Sequence, residues 1–193
     1  MPSLSEEDRK AILELARQGV LHAVCHERPL STFPTTGIFA EHRGLFVTLH
    51  VSKKLRGCIG VIEGHTNLGE AVARCAADAA LHDPRFSRVR PEEMSALEIE
   101  VSLLTPLAPI RPEEVEIGMH GLLVERGTRR GLLLPQVAVE HRLGREQFLA
   151  ETCMKAGLPR EAWKDPETQL YGFQCEIISE ARRPLAEEQC PRQ

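Results

Sequence analysis

Apolar residues recur at helical spacing through Ala11, Ile12, Leu15, Ala16, Gly19, Val20 and Ala23, behind a Ser5/Asp8 pair three residues apart that reads as a capping box. This predicts a first amphipathic helix ending near Cys25. From residue 27 to 43 the periodicity stops, and Pro29, Pro34 and the Thr35, Thr36, Gly37 turn signal predict an extended loop, long enough for a lid or a site wall. The pattern then shortens to period two. Residues 45–49 and 55–62 are predicted strands, joined through Ser52, Lys53 and Lys54 as an antiparallel hairpin. Asn67 and Glu70 open a second helix whose Ala71, Cys75, Ala76 and Ala79 face suits close packing on a sheet, which makes Cys75 structural. Beyond Asp83 and Pro84, the residues Leu97, Ile99, Val101 and Leu103 alternate with Glu98, Glu100 and Ser102 in a half-buried strand. Residues 122–125 and 132–134, around Gly127 and Gly131, predict another hairpin. A helix over 147–156 is stopped by Gly157 and Pro159, residues 170–178 form a last strand, and a polar tail begins near residue 182. Hairpins mixed with helices, rather than regular βαβ alternation, argue for an α+β domain.

Within the second strand the order Leu55, Arg56, Gly57, Cys58, Ile59, Gly60 stands out. Glycine weakens a strand, so two glycines around a cysteine point to a bulge, or to close approach by another backbone or a ligand. Alternation puts Arg56, Cys58 and Gly60 on one face, with the cation beside the sulfur, where it favours the thiolate. The competing reading is a small cysteine buried in a tightly packed strand. A nucleophilic thiol also needs a proton-transfer partner. His120, between Gly118 and Gly121, is the best-placed histidine, because those glycines suggest a turn that presents the ring. Glu100 is either a solvated strand residue or a carboxylate aimed into a polar pocket, and Gln136 either a ligand-binding amide or a satisfied loop amide. Asp83, Arg85 and Phe86 read as a structural turn in which the carboxylate bonds local backbone and Phe86 plugs the core. His22, Cys25 and His26 have helical ligand spacing, but three donors at a helix end fall short of a designed metal site.

The hexamer ending at Gly60 is similar to the signature of the AMMECR domain family. The resemblance continues in family order through residues 46–49, 83–86, 97–102, Ile117 with Gly118, His120 with Gly121, 131–138 and 155–158, covering roughly residues 44 to 173. It implies an α+β fold with a mostly antiparallel, barrel-like sheet and flanking helices. Two lobes would form one AMMECR-type domain across residues 1–193, the smaller lobe inserted within it and a cleft near the signature strand. Residue chemistry and resemblance together leave Cys58, His120 and Glu100 as catalytic candidates and Arg56, Gly57, Gly60 and Gln136 as substrate-binding ones. Prokaryotic relatives are associated, in the AmmeMemoRadiSam system, with a Memo-like protein and a radical-SAM protein, which suggests a small-molecule or modified nucleic-acid substrate. Two roles follow: an enzyme or enzyme component using Cys58, or a non-catalytic binding or scaffold module in which that cysteine is structural.

Composition narrows these roles. The chain has 193 residues and a net charge of -4, with no run of basic residues, which disfavours bulk duplex DNA binding. Only 4% of residues are aromatic, too few platforms for a generic single-strand binder. An acidic start without an apolar h-region, and no apolar stretch of spanning length, predict a cytoplasmic protein without membrane association. Six scattered cysteines without a C-x-x-C pair predict reduced thiols and no structural zinc. No phosphate-binding or dinucleotide glycine motif is present, so the sequence implies no cofactor.

Overall fold

Ser5 caps the first helix by accepting the Asp8 N–H at 3.1 Å, and Asn67 caps the second by accepting the Glu70 N–H at 2.9 Å. The computed structural model describes residues 4–180. In chain order the elements are α1 (Glu6–His26), β1 (Leu45–Val51), β2 (Lys54–Val61), α2 (Leu68–Leu81), β3 (Leu97–Leu104), β4 (Ala108–Pro109), β5 (Gly121–Arg126), β6 (Arg129–Leu133), α3 (Pro135–Glu140), α4 (Arg145–Lys155), β7 (Gln169–Phe173) and β8 (Cys175–Ser179). They form two open four-stranded sheets, in the orders β2-β1-β3-β8 and β4-β7-β5-β6. The α+β class holds. The barrel-like sheet does not: each sheet keeps two free edges, because β2 and β8, like β4 and β6, end their sheets instead of pairing with each other.

The chain divides into two compact units, residues 1–103 with 176–193, and residues 104–175 inserted between them. The predicted last strand is interrupted at Gln174, whose N–H donates to Thr105 Oγ1 at 2.9 Å while its carbonyl accepts the Thr105 N–H at 3.0 Å. β7 therefore belongs to the second sheet and β8 to the first.

In the first unit, Leu45, Val47 and Leu49 of β1 and Ile99, Val101 and Leu103 of β3 are buried in one core with Ile12, Ala16 and Val20 of α1 and Val72, Ala76 and Ala79 of α2. Gly19 lets the helices close in, since a Cβ there would sit 3.0 Å from that of Ala76. The 27–43 loop is less a lid than a wall of this core: a short 3-10 turn at Gly37–Ala40 buries Phe39, and Leu30, Phe33 and Ile38 pack beside it. Phe86 is only half-buried, and Val89, 4% exposed, takes the core position instead. The second unit has its own core around Leu122, Val124, Phe148, Leu149 and Cys153. Cys25 is disulfide-bonded, which corrects the expectation of six reduced thiols. Among the described residues no helix is long and apolar enough to cross a membrane, and no three His, Cys, Asp or Glu side chains converge as metal ligands. The tail from 182 lies outside the described residues.

Candidate functional site

The hairpin of β1 and β2 turns on Ser52 and Lys53, both with positive φ, and its register slips by one between His50 and Leu49. His50 pairs with Leu55 and Leu49 with Gly57, so Arg56 has no partner in the ladder and forms a bulge. This undoes the simple alternation. The Arg56 guanidinium is committed to Glu93, at 2.8 and 3.1 Å, and to the carbonyls of Ser87 and Arg88, at 2.7 and 3.0 Å. That pairing holds the Glu93 carboxyl below the usual range.

Past the bulge, Thr48 stands opposite Cys58 on one side and Glu100 on the other, in one row across three strands. Thr48 Oγ1 donates to Cys58 Sγ at 3.3 Å, and Ser179 Oγ donates to Glu100 Oε2 at 3.0 Å. In the next row Gly60 and Ser102 flank Phe46. Ser102 is 1% exposed and its hydroxyl has no hydrogen-bond partner among the described residues. The sheet face opposite the core is thus lined by hydroxyls, a carboxylate and a half-buried thiol.

β2 is an edge strand, and the outward peptide groups of Cys58 are capped by side chains rather than by another strand. Asp83 Oδ2 accepts the Cys58 N–H at 2.8 Å, and Arg85 Nη2 donates to the Cys58 carbonyl at 3.3 Å. Asp83 also accepts from the Arg85 N–H at 3.0 Å and from its guanidinium at 2.9 and 2.7 Å. The Arg85 hydrogen bonds drive the buried Asp83 carboxyl far below the usual carboxylate range. Asp83 in turn raises the Arg85 pKa, with a smaller contribution from the Cys58 thiol beside the guanidinium. The cation next to the sulfur is therefore Arg85, not Arg56.

The two motif glycines sit at close approaches. A Cβ on Gly57 would overlap the Ala79 carbonyl of α2, and one on Gly60 would overlap the Phe46 ring and the Leu45 carbonyl. Other thiols differ from Cys58 in setting. Burial pushes Cys75 up to about 12 and also raises Cys153.

His120 and Gln136 lie in the second unit. His120 follows the predicted turn, with Gly118 at φ 84°, and its Nδ1 accepts the Glu116 N–H at 3.1 Å, which leaves the proton of a neutral ring on Nε2. It lines a groove of about 400 Å³ with Ile110, Phe173 and Gln174. Gln136 lies in the first turn of α3, and its Oε1 is buried without a hydrogen-bond partner among the described residues. Sequence reasoning missed Thr48, Ser102 and Ser179 and gave Asp83 and Arg85 only a turn. Their signal lay in the cross-strand register, which the bulge displaces from simple counting.

The fold and this site together define a class: α+β proteins in which a cysteine on an edge strand is held by a hydroxyl on its sulfur and an Asp–Arg pair on its peptide. The chain belongs to the AMMECR1 family, whose pattern matches residues 13–178. It is 42% identical over 187 residues to a protein of Methanothermobacter thermautotrophicus, covering 92% of this chain and 96% of the relative. It is 46% identical over 183 residues to a protein of Thermococcus gammatolerans, covering 89% and 86%. The crystal structure of the uncharacterized protein PH0010 from Pyrococcus horikoshii is similar to it at a TM-score of 0.85 and 39% identity, across 96% of this chain and 98% of that one.

Proposed function

We propose that this AMMECR1-family chain is a cysteine-containing enzyme or enzyme component in which Cys58 is the reactive thiol. The observation that carries the reading is the setting of Cys58: half-buried on a polar face, with Thr48 Oγ1 donating to its sulfur and Asp83 and Arg85 holding its peptide. The half-buried position leaves the sulfur within reach of a small reagent, and the thiolate is the nucleophilic form of a cysteine. Glu100 and His120 are the proposed proton-transfer groups. Arg56, Gly57 and Gly60 serve by shaping the strand that carries the thiol, and Gln136 by contacting substrate. The proposed setting is the AmmeMemoRadiSam system in the cytoplasm, with a Memo-like protein and a radical-SAM protein as partners and a small molecule or modified nucleic acid as substrate.

The alternative, a binding or scaffold module with a structural cysteine, draws support from Gly57, which the packing of α2 explains without a ligand. Alkylation rates separate the two. Cys58 is expected to react with iodoacetamide in the native protein at neutral pH well before Cys75 and Cys153, as followed by mass spectrometry. A Cys58 that stays unlabelled until the protein unfolds would hand the argument to the scaffold reading.

A further inference from the structure

At the edge of β2 the ion pairs are buried asymmetrically. Arg85 exposes 54% of its side chain against 1% for Asp83, and Arg90 exposes 76% against 21% for Glu93. Arg88, on the same loop, is 59% exposed and meets an exposed Glu27. Glu27 is itself more exposed than Arg88, but at Cys58 the Asp83 carboxylate lies behind its cation, so the charge turned outward there is the Arg85 guanidinium. Charge presented to solvent over a low-dielectric wall attracts counter-charged solutes.

Arg85 keeps one end open. Its Nε and one Nη2 hydrogen go to Asp83 and the other Nη2 hydrogen to the Cys58 carbonyl, which leaves the Nη1 end to meet an anion from solvent. A guanidinium N–H donates a charge-assisted hydrogen bond to carboxylate or phosphate. The Phe86 ring, 5.5 Å from the Arg85 guanidinium carbon, and the Asp83 pairing limit its rotation. A pre-set guanidinium therefore borders the thiol.

We propose that Arg85 recognises an anionic group, carboxylate or phosphate, on the molecule with which Cys58 reacts. This rests on the reading of Cys58 as the reactive thiol and gives that site a substrate class.

Two reagents of similar size, one charged and one neutral, test it. Iodoacetate is anionic and iodoacetamide neutral; with either, the thiolate forms the S–C bond, iodide leaves with the C–I electron pair, and the thiol proton passes to buffer. Rates at Cys58 are measured by mass spectrometry on the native protein and on the unfolded chain, which supplies the intrinsic ratio. The iodoacetate-to-iodoacetamide ratio is expected to be about tenfold higher in the native protein, the low end of electrostatic focusing. It should fall to the unfolded value in Arg85→Ala, stay high in the charge-keeping Arg85→Lys, and change little in Arg88→Ala. Inorganic phosphate or acetate should slow the iodoacetate reaction selectively, and whichever competes at lower concentration identifies the preferred anion. A native ratio no greater than the unfolded one overturns the anion proposal while leaving Cys58 reactive. A Cys58 that meets neither reagent overturns both readings.

Discussion

Arg56 and Arg85 exchange the parts that chain order suggests for them. Two residues before the motif cysteine, Arg56 is the bulge residue and braces the loop through Glu93, while Arg85, 27 residues beyond that cysteine, reaches the Cys58 peptide. Sequence alone exposed the cysteine, because its glycine neighbours are costly in a strand. It hid Arg85, because an Asp–Arg turn has a sufficient local explanation. Asp83 supplies a titration test. Its folded pKa is depressed, so its stabilisation is fully present above the unfolded carboxylate value of about 4 and is lost as pH falls through the folded value. The melting temperature of the wild type should therefore drop more between about pH 5 and pH 2 than that of Asp83→Asn. At neutral pH, Asp83→Ala strips the Cys58 N–H of its acceptor and is expected to cost about 1 to 3 kcal/mol in denaturant titration.

Among the elements, those that announce themselves by caps and periodicity were legible. The Ser5 and Asn67 caps, the β1/β2 hairpin and the alternating β3 all form within a residue or two of the pattern. The 170–178 run misled, because alternation is blind to which sheet a strand joins; only the Thr105 pairing breaks it at Gln174. The six-residue α3 was missed, being too short to show helical periodicity. Gly57 tests why the motif needs its glycine. In Gly57→Ala the new Cβ meets the carbonyl of Ala79, rigid helix backbone, so overpacking should cost about 1 to 3 kcal/mol. Thermal melts should then show a fall of about 2 to 4 °C for each kcal/mol in a chain of this size. An unchanged melt would mean that α2 can shift away from β2.

For the molecule as a whole, net charge and the lack of a basic run predict micromolar or weaker binding to random duplex DNA at physiological salt, checked by titration at two salt concentrations. The first unit depends on both of its chain segments: Arg17 of α1 bonds Glu180 and the carbonyls of Met94 and Leu97, while Glu180 also accepts the Ile99 N–H at 3.0 Å. Arg17 is buried, so Glu180→Ala strands a charge and should destabilise this unit by about 3 to 5 kcal/mol. The insertion that splits the unit also sets an order of events on the ribosome. The sheet that carries Cys58 receives β8 only after all of residues 104–175 have been made, whereas the inserted unit is one continuous stretch of chain. Synthesis at about 5 to 20 residues per second leaves the nascent first sheet open on its β3 edge for several seconds, while the later-born unit can close as soon as it emerges. The thiol-bearing half of this protein is thus the half whose last strand is made last.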